Sequence, residues 1–437
     1  MKEKILVAIE SPKELETLYQ QDPAEFQQVF PEVFTQHSDS LILQVWHERI
    51  NYQHSAKSQQ RTEIWSYRNI LLVIFLSLIT GTIVKLPQFI QAIDEGWFYT
   101  KNLAGTIIIS LMIYFFLQRN HARRSPVIVL AIGAVALLYL NLLPGEYGFD
   151  SYEFSRKYRS FSDALAVAHL HIPLFLWLLL CVAIDSKNWK ETTERMNYLR
   201  YNGELIIYTT MILIGGMVLT GITLALLSLV ENSYELSSWY QENVIVYGAV
   251  AAPIVATFLI EKLIGGRLNI APVLAKIFTP LFLLTTIVYL IIMVIYQKSP
   301  FDDRDTLIAF NALLIIVLGL SMFSIAERNP GASSGISDYM NIGLILATLV
   351  IDLAALSAVL FRLTDDVYGL TPNRIAILGI NLLVFCHLVG IFLYYVRFIS
   401  NKSSFTKLEN WITRFLPVYA VWAVVISVAL PLIFWYQ

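Results

Sequence analysis

From residue 68 onward the chain repeats one pattern: a long apolar run, a short polar connection, another apolar run. The first run, RNILLVIFLSLITGTIVK, carries no charge between Arg68 and Lys85. A helix needs about 20 mostly apolar residues to cross a bilayer's hydrocarbon core, and Tyr67 and Leu86 extend this run toward that length. Ten more runs follow: Leu103–Leu117, Pro126–Leu143, Ala164–Ile184, Leu205–Val230, Val244–Ile264, Pro272–Tyr296, Thr306–Ala326, Met340–Phe361, Ile375–Ile399 and Phe415–Trp435. In lipid a helix satisfies its own backbone, and a barrel would show alternation in place of runs. The pattern predicts an all-α fold, a polytopic transmembrane helical bundle of about 11 spans over residues 67–437.

Residues 1–66 follow a different pattern and predict a small amphipathic helical region. Ser11-Pro12 reads as an N-cap with proline at the first helical position, and Glu14 follows three residues after the cap. Leu15, Leu18 and Tyr19 share one face. Asp22-Pro23 repeats the start signal before Phe26, Val29, Phe30, Val33 and Phe34, with Pro31 expected to break or end that helix. A third helix is expected over Leu41–Tyr52, with Ile42, Val45, Trp46 and Ile50 on one side. Such a thin core fits a cytoplasmic cap or a module that holds a cytoplasmic protein partner. The opening MKEKILVAIESPKELE lacks the apolar stretch and small-residue site of a cleaved signal, so the first span is expected to act as the insertion signal.

Composition sharpens this picture. Of 437 residues, 56% are hydrophobic and 15% charged, with a mean hydropathy of +0.60. A soluble domain carries roughly 25% charged residues. A net charge of -2 without a basic stripe excludes a nucleic-acid partner and leaves the lipid bilayer as the expected one. Cys181 and Cys386 both fall inside apolar runs and read as packing residues. No Walker A, GxSxG, HExxH or dinucleotide fingerprint occurs, so no catalytic residue, cofactor or metal is assigned.

Lysine and arginine near the span ends set the expected orientation. Arg61 and Arg68, Arg119 and Arg124, Lys187 to Arg200, Lys262 and Arg267, and Arg397 to Arg414 fall in alternate connections, which are expected to face the cytoplasm. The opposite connections carry more acid, and two connections blur the pattern: one acidic connection also holds Arg156, Lys157 and Arg159, and the connection after the eighth run has only Arg328 against Glu327 and Asp338. The N-terminus is then cytoplasmic and the C-terminus external, with Trp97, Trp239 and Trp435 at interfacial depth.

Two groups of residues are candidates for chemistry. Asp352 lies near the middle of the ninth span, in LVIDLAALSAVL, where an ionised carboxylate must be paired, hydrated or protonated. It reads either as a proton or cation relay or as a hydrogen-bond partner for a neighbouring helix. The second group is external: Asp302, Asp303, Arg304 and Asp305 in one connection, and Arg362, Asp365, Asp366, Tyr368 and Arg374 in another. These two connections share a side and have complementary charges. They are expected to meet as a polar lid or as a site for a phosphate, a cation or a sugar; solvated loops with local ion pairs are the alternative. His169 and His171, two residues apart, point to different helix faces and read as satisfied histidines. Gly215, Gly216 and Gly221 are expected to mark close helix packing.

The motifs SPFDDRDTLIAFN and RLTDDVYGLTPNR, with Tyr368-Gly369-Leu370-Thr371 and Arg374, resemble the bacterial 4153-type domain-of-unknown-function membrane proteins. The resemblance implies a bacterial inner-membrane protein and supplies no catalytic residue. Three functions remain open: transport of a small solute or ion, an enzyme or accessory factor acting on a lipid-linked or envelope substrate at the outer leaflet, and a sensor or scaffold using residues 1–66.

Overall fold

The computed structural model describes residues 2–9, 11–37, 39–50, 67–90, 92–119, 121, 124–144, 163–227, 233–261, 271–295, 301, 304–328, 334–364 and 370–434. The chain divides into two compact units, Met1–Leu72 and Val73–Gln437. The expected boundary at residue 66 ends the stretch 51–66, which lies outside the described residues.

The first unit holds four short helices: α1 (Lys2–Val7), α2 (Pro12–Gln21), α3 (Pro23–Gln36) and α4 (residues 41–50). Ser11 caps α2 by accepting from the Glu14 N–H, as the Ser-Pro start signal predicts. Asp22 does the same for Glu25 at 3.0 Å. Ile5, Leu15, Phe26, Phe30, Val33, Leu43, Trp46 and Ile50 form its core. Three expectations change. Residues 2–7 are helical and add Ile5 to that core. The third helix turns Leu43, not Val45, inward, and Val45 is exposed. Pro31 does not stop α3, which continues to Gln36. Burial of Phe30 on one side of the proline and Val33 on the other outweighs the hydrogen bond that proline removes. Arg49 lies over Trp46 and Tyr19 and pairs with Glu16. Hydrogen bonds from Arg49 and then Gln20 hold the Glu16 carboxyl below its usual range.

The second unit is all helix among the described residues: α5 (Tyr67–Val84, which begins in the first unit), α6 (Leu86–Phe89), α7 (Glu95–Gln118), α8 (Ser125–Leu142), α9 (Asp163–Ile184), α10 (Thr192–Leu227), α11 (Ser233–Tyr240), a π-helical segment Gln241–Ile245, α12 (Val246–Leu259), α13 (Ala271–Ile295), α14 (Arg304–Ala326), α15 (Ile336–Thr364), α16 (Pro372–Ile399) and α17 (Phe405–Ile433). Nine helices of the described residues are long and apolar enough to cross a membrane, and α13 and α14 carry shorter apolar stretches, Phe278–Val288 and Phe310–Ala326. The chain is a multi-pass membrane protein with an all-α helical bundle.

Several helices start earlier than their apolar runs. Asp94 caps α7 through the Trp97 N–H at 2.7 Å, α10 begins at Thr192 and α17 at Phe405. Apolar content marks the part of a helix in lipid, whereas capping and packing decide where the helix begins.

The bundle is organised around α9, which packs along α17, α7, α8 and α16. Ala164 and Val167 of α9 meet Ala376 of α16 and Ile426 and Leu430 of α17. On the other side α15 packs on α16, α13 and α14, and α10 joins α12, α14 and α17. Small residues admit large rings between helices. The Trp422 and Trp411 rings of α17 fill the space that side chains at Gly379 and Gly390 of α16 would occupy, and Phe323 of α14 does so at Gly203. Gly215, Gly216 and Gly221 behave otherwise: among the described residues nothing approaches within 4 Å of where their Cβ atoms would stand, so they mark no packing between the described helices. Glycine content does not reveal which face a helix turns to its neighbours.

Basic side chains close the helix ends. Arg119 donates to Ile184 O at the end of α9, Arg200 to Ala326 O at the end of α14, and Arg374 to Arg362 O near the end of α15. Lys101 donates to Leu143 O just past α8. The last carbonyls of a helix have no partner inside it and carry partial negative charge, so a cation from another helix satisfies both needs.

Candidate functional site

Asp352 of α15 is fully buried, and neither carboxyl oxygen has a hydrogen-bond partner in the structure. It lies within electrostatic reach of the Tyr419 hydroxyl of α17. Tyr419 shares a hydrogen bond of 3.0 Å with His387 Nδ1 of α16. Each of the three residues falls within two positions of the middle of its helix, so the polar atoms gather at one depth, halfway through the bundle.

The surroundings are aromatic. The His387 ring is fully buried and stacks on Phe415, with centroids 4.1 Å apart and planes 3° apart. Trp411 Nε1 donates to His387 O at 3.1 Å. The other imidazole nitrogen, Nε2, has no hydrogen-bond partner, although the ring lies beside the Ile412 carbonyl. One turn beyond Tyr419, the buried Trp422 Nε1 is also unpartnered. Phe415, Tyr419 and Trp422 share one face of α17 at helical spacing, while Gly379 and Gly390 let α16 approach that face.

At the end of the bundle near Ala326, a different cluster is fully satisfied. Asp338 accepts from Arg328 Nε at 2.8 Å, Arg328 Nη2 at 3.3 Å, the Tyr395 hydroxyl at 2.7 Å and Gly335 N at 2.9 Å. The Arg328 guanidinium lies over the Phe398 and Phe405 rings. This arrangement binds the α14–α15 connection to the last turn of α16 and the first of α17. It is a clamp, and no oxygen of Asp338 is left for a ligand. The contrast with Asp352 separates a structural carboxylate from a candidate functional one.

Arg119 pairs with Glu261 Oε1 at 2.7 Å, and Arg195 donates to Thr413 O at 3.2 Å. These contacts place the basic connections after α7 and α9 at one end of the bundle. Beside them, Asp185 accepts from Lys187 N and Asn188 N. Partial burial pushes its carboxyl up, yet these hydrogen bonds outweigh that and hold it below the usual range.

At the opposite end, Arg362 Nε donates to Phe301 O at 3.3 Å and Arg374 to Arg362 O at 3.1 Å. The two connections that carry the external candidates therefore touch through backbone and arginine. Asp302, Asp303, Asp365, Asp366 and Tyr368 lie outside the described residues, as do the side chains of Arg304 and Asp305. His169 and His171 bind their own helix, Nδ1 to Leu165 O at 2.6 Å and to Val167 O at 2.8 Å.

Asp352 announces itself in the sequence as an acid inside an apolar run, and His387 as an ionisable residue inside another. Tyr419 does not, because tyrosine is ordinary in a span. Its signal is positional: measured from the helix ends, it matches the depth of the other two. Among the described residues no three His, Cys, Asp or Glu side chains stand close enough to share a metal ion. No protein-family model matches the chain, and neither a curated protein nor a solved structure is similar to it.

Proposed function

We propose that this protein moves a small solute or ion across the membrane, with Asp352 as its intramembrane polar site. The observation that carries the reading is a fully buried carboxyl group at mid-depth whose two oxygens have no partner. Such a group is costly to keep in a membrane interior, and structural carboxylates such as Asp338 are surrounded by donors. The proposed setting is a bacterial inner membrane, with the end bearing Arg119 and Arg195 toward the cytoplasm. The proposed kinship with the 4153-type family rests on the two loop motifs.

Vesicles containing the purified protein, adsorbed on a capacitive electrode, are expected to give a current when one member of a panel of amino acids, sugars, inorganic anions and cations is added. The current disappears in Asp352→Asn. Silence of the unaltered protein toward the whole panel overturns the transport reading. A stability measurement separates function from structure at the same residue. Removing a buried polar group that has no partner is neutral or stabilising, so Asp352→Leu is expected to keep or raise the unfolding temperature while abolishing transport. A marked fall in that temperature would make Asp352 a structural residue.

The orientation has its own test. In a variant with Cys181 and Cys386 replaced by alanine, a cysteine at Ser151 or Ser299 is expected to react with an impermeant maleimide on intact cells. One at Ser186 or Ser404 should react only after permeabilisation, and the reverse pattern would invert the proposed topology.

A further inference from the structure

The transport reading leaves open what occupies Asp352, and the neighbouring groups bear on that question. We propose that Asp352, Tyr419 and His387 form an intramembrane proton-binding site, in which Asp352 holds the proton in the described state and His387 is a second proton acceptor joined to it through the Tyr419 hydroxyl. The proposal rests on the transport reading for its purpose, while the protonation itself is read without any solute.

Three observations carry it. Neither Asp352 oxygen has a hydrogen-bond partner, and no cation stands against it among the described residues, so a negative charge there would stand unbalanced in a dry interior. A bound proton removes that charge with a single bond, whereas a metal ion needs several ligands, and the described residues supply no such group. His387, also fully buried, presents a basic nitrogen to Tyr419 from the neighbouring helix. With its ring proton on Nε2, His387 offers Nδ1 to accept from the Tyr419 hydroxyl.

The described side chains of α13, α14 and α16 bring no charged group against Asp352. Its titratable neighbour on α17 is Tyr419, and beyond that hydroxyl stand His387 and Cys386 of α16. On α15 itself, Asp338 is tied up in its clamp and Arg362 sits near the far end of the helix.

Transfer within the site balances. When the Asp352 side chain swings onto the Tyr419 oxygen, the carboxyl O–H bond breaks and a new tyrosine O–H bond forms. The original tyrosine O–H bond breaks in turn, and its proton forms an N–H bond at His387 Nδ1. A neutral acid and a neutral imidazole become an aspartate–imidazolium pair, Tyr419 ends as it began, and net charge is unchanged. The described structure is the state before transfer, because Asp352 makes no hydrogen bond to Tyr419.

The test is infrared difference spectroscopy of the full-length protein in lipid nanodiscs, with the proton itself as probe. A carboxylic-acid carbonyl band is expected at neutral pH, sensitive to deuteration and lost in Asp352→Asn. Tyr419→Phe and His387→Gln, either of which cuts the connection, are each expected to move the pH at which the band disappears by about one unit or more. Asp352→Glu is expected to restore a band. An unaltered protein with no such band at neutral pH overturns the proposal. So does a folded Tyr419→Phe or His387→Gln variant that titrates like the parent. Asp352-dependent currents without these spectral effects would leave transport standing and sink the proton site. The spectral effects without any current would do the opposite.

Discussion

Asp338→Ala is expected to destabilise the folded bundle by about 3–5 kcal/mol, the usual consequence of removing one partner from a buried ion pair. The carboxylate takes four hydrogen bonds, two from Arg328 and one each from Tyr395 and Gly335. The side chains of Arg328 and Asp338 are only 8% and 9% exposed. Without the acid, the guanidinium over the Phe398 and Phe405 rings loses the carboxylate it pairs with. Tryptophan fluorescence during heating in detergent would measure the loss. The double replacement Arg328→Met with Asp338→Leu should be milder than either single change, since it removes both charges and keeps most of the volume. Equal unfolding temperatures for Asp338→Ala and the parent would show that the clamp carries no net stability.

Leucine at Gly379 or Gly390 is the second large effect. A Cβ at Gly379 would stand 1.9 Å from the Trp422 ring, and one at Gly390 would stand 1.9 Å from the Trp411 ring. At that distance the ring or the helix must shift, so each substitution is expected to cost about 1–3 kcal/mol by overpacking. Separation of these helices also parts His387 from Tyr419. Gly215→Ala and Gly216→Ala form the control, because no described residue stands near either site and helix propensity favours alanine. If leucine at Gly379 and alanine at Gly216 shift the unfolding temperature alike, the tryptophan notches do not hold the bundle together.

The helical bundle was largely legible because apolar runs are written directly along the chain. Each expected span has a helix in the structure. What composition concealed was the part of each helix outside the apolar run, such as Glu95 to Asn102 and Thr192 to Tyr201. It also concealed rotation about the helix axis. Gly215, Gly216 and Gly221 could not be distinguished in sequence from Gly379 and Gly390, although among the described residues one set meets open space and the other admits tryptophan rings. At the site, Asp352 was legible because a charge in an apolar run is costly wherever the helix turns. The bond between His387 and Tyr419 was not, since it depends on two helices meeting at one depth. The external group stays an expectation built on topology and charge, with only the side chains of Arg362 and Arg374 described.

The packing of α9 along α17 has a consequence for biosynthesis. About 250 residues separate the end of α9 from the end of α17. At roughly 5–20 residues per second, that stretch takes on the order of 12–50 s to synthesise. Throughout that interval α9 sits in the bilayer with the face meant for α17 turned to lipid or to insertion machinery. A ribosome that stalls before α17 therefore leaves a protein whose central helix lacks its main partner, a form open to membrane quality-control proteases. Pulse-labelled chains truncated after Ile399 should be cleared much faster than the full-length protein.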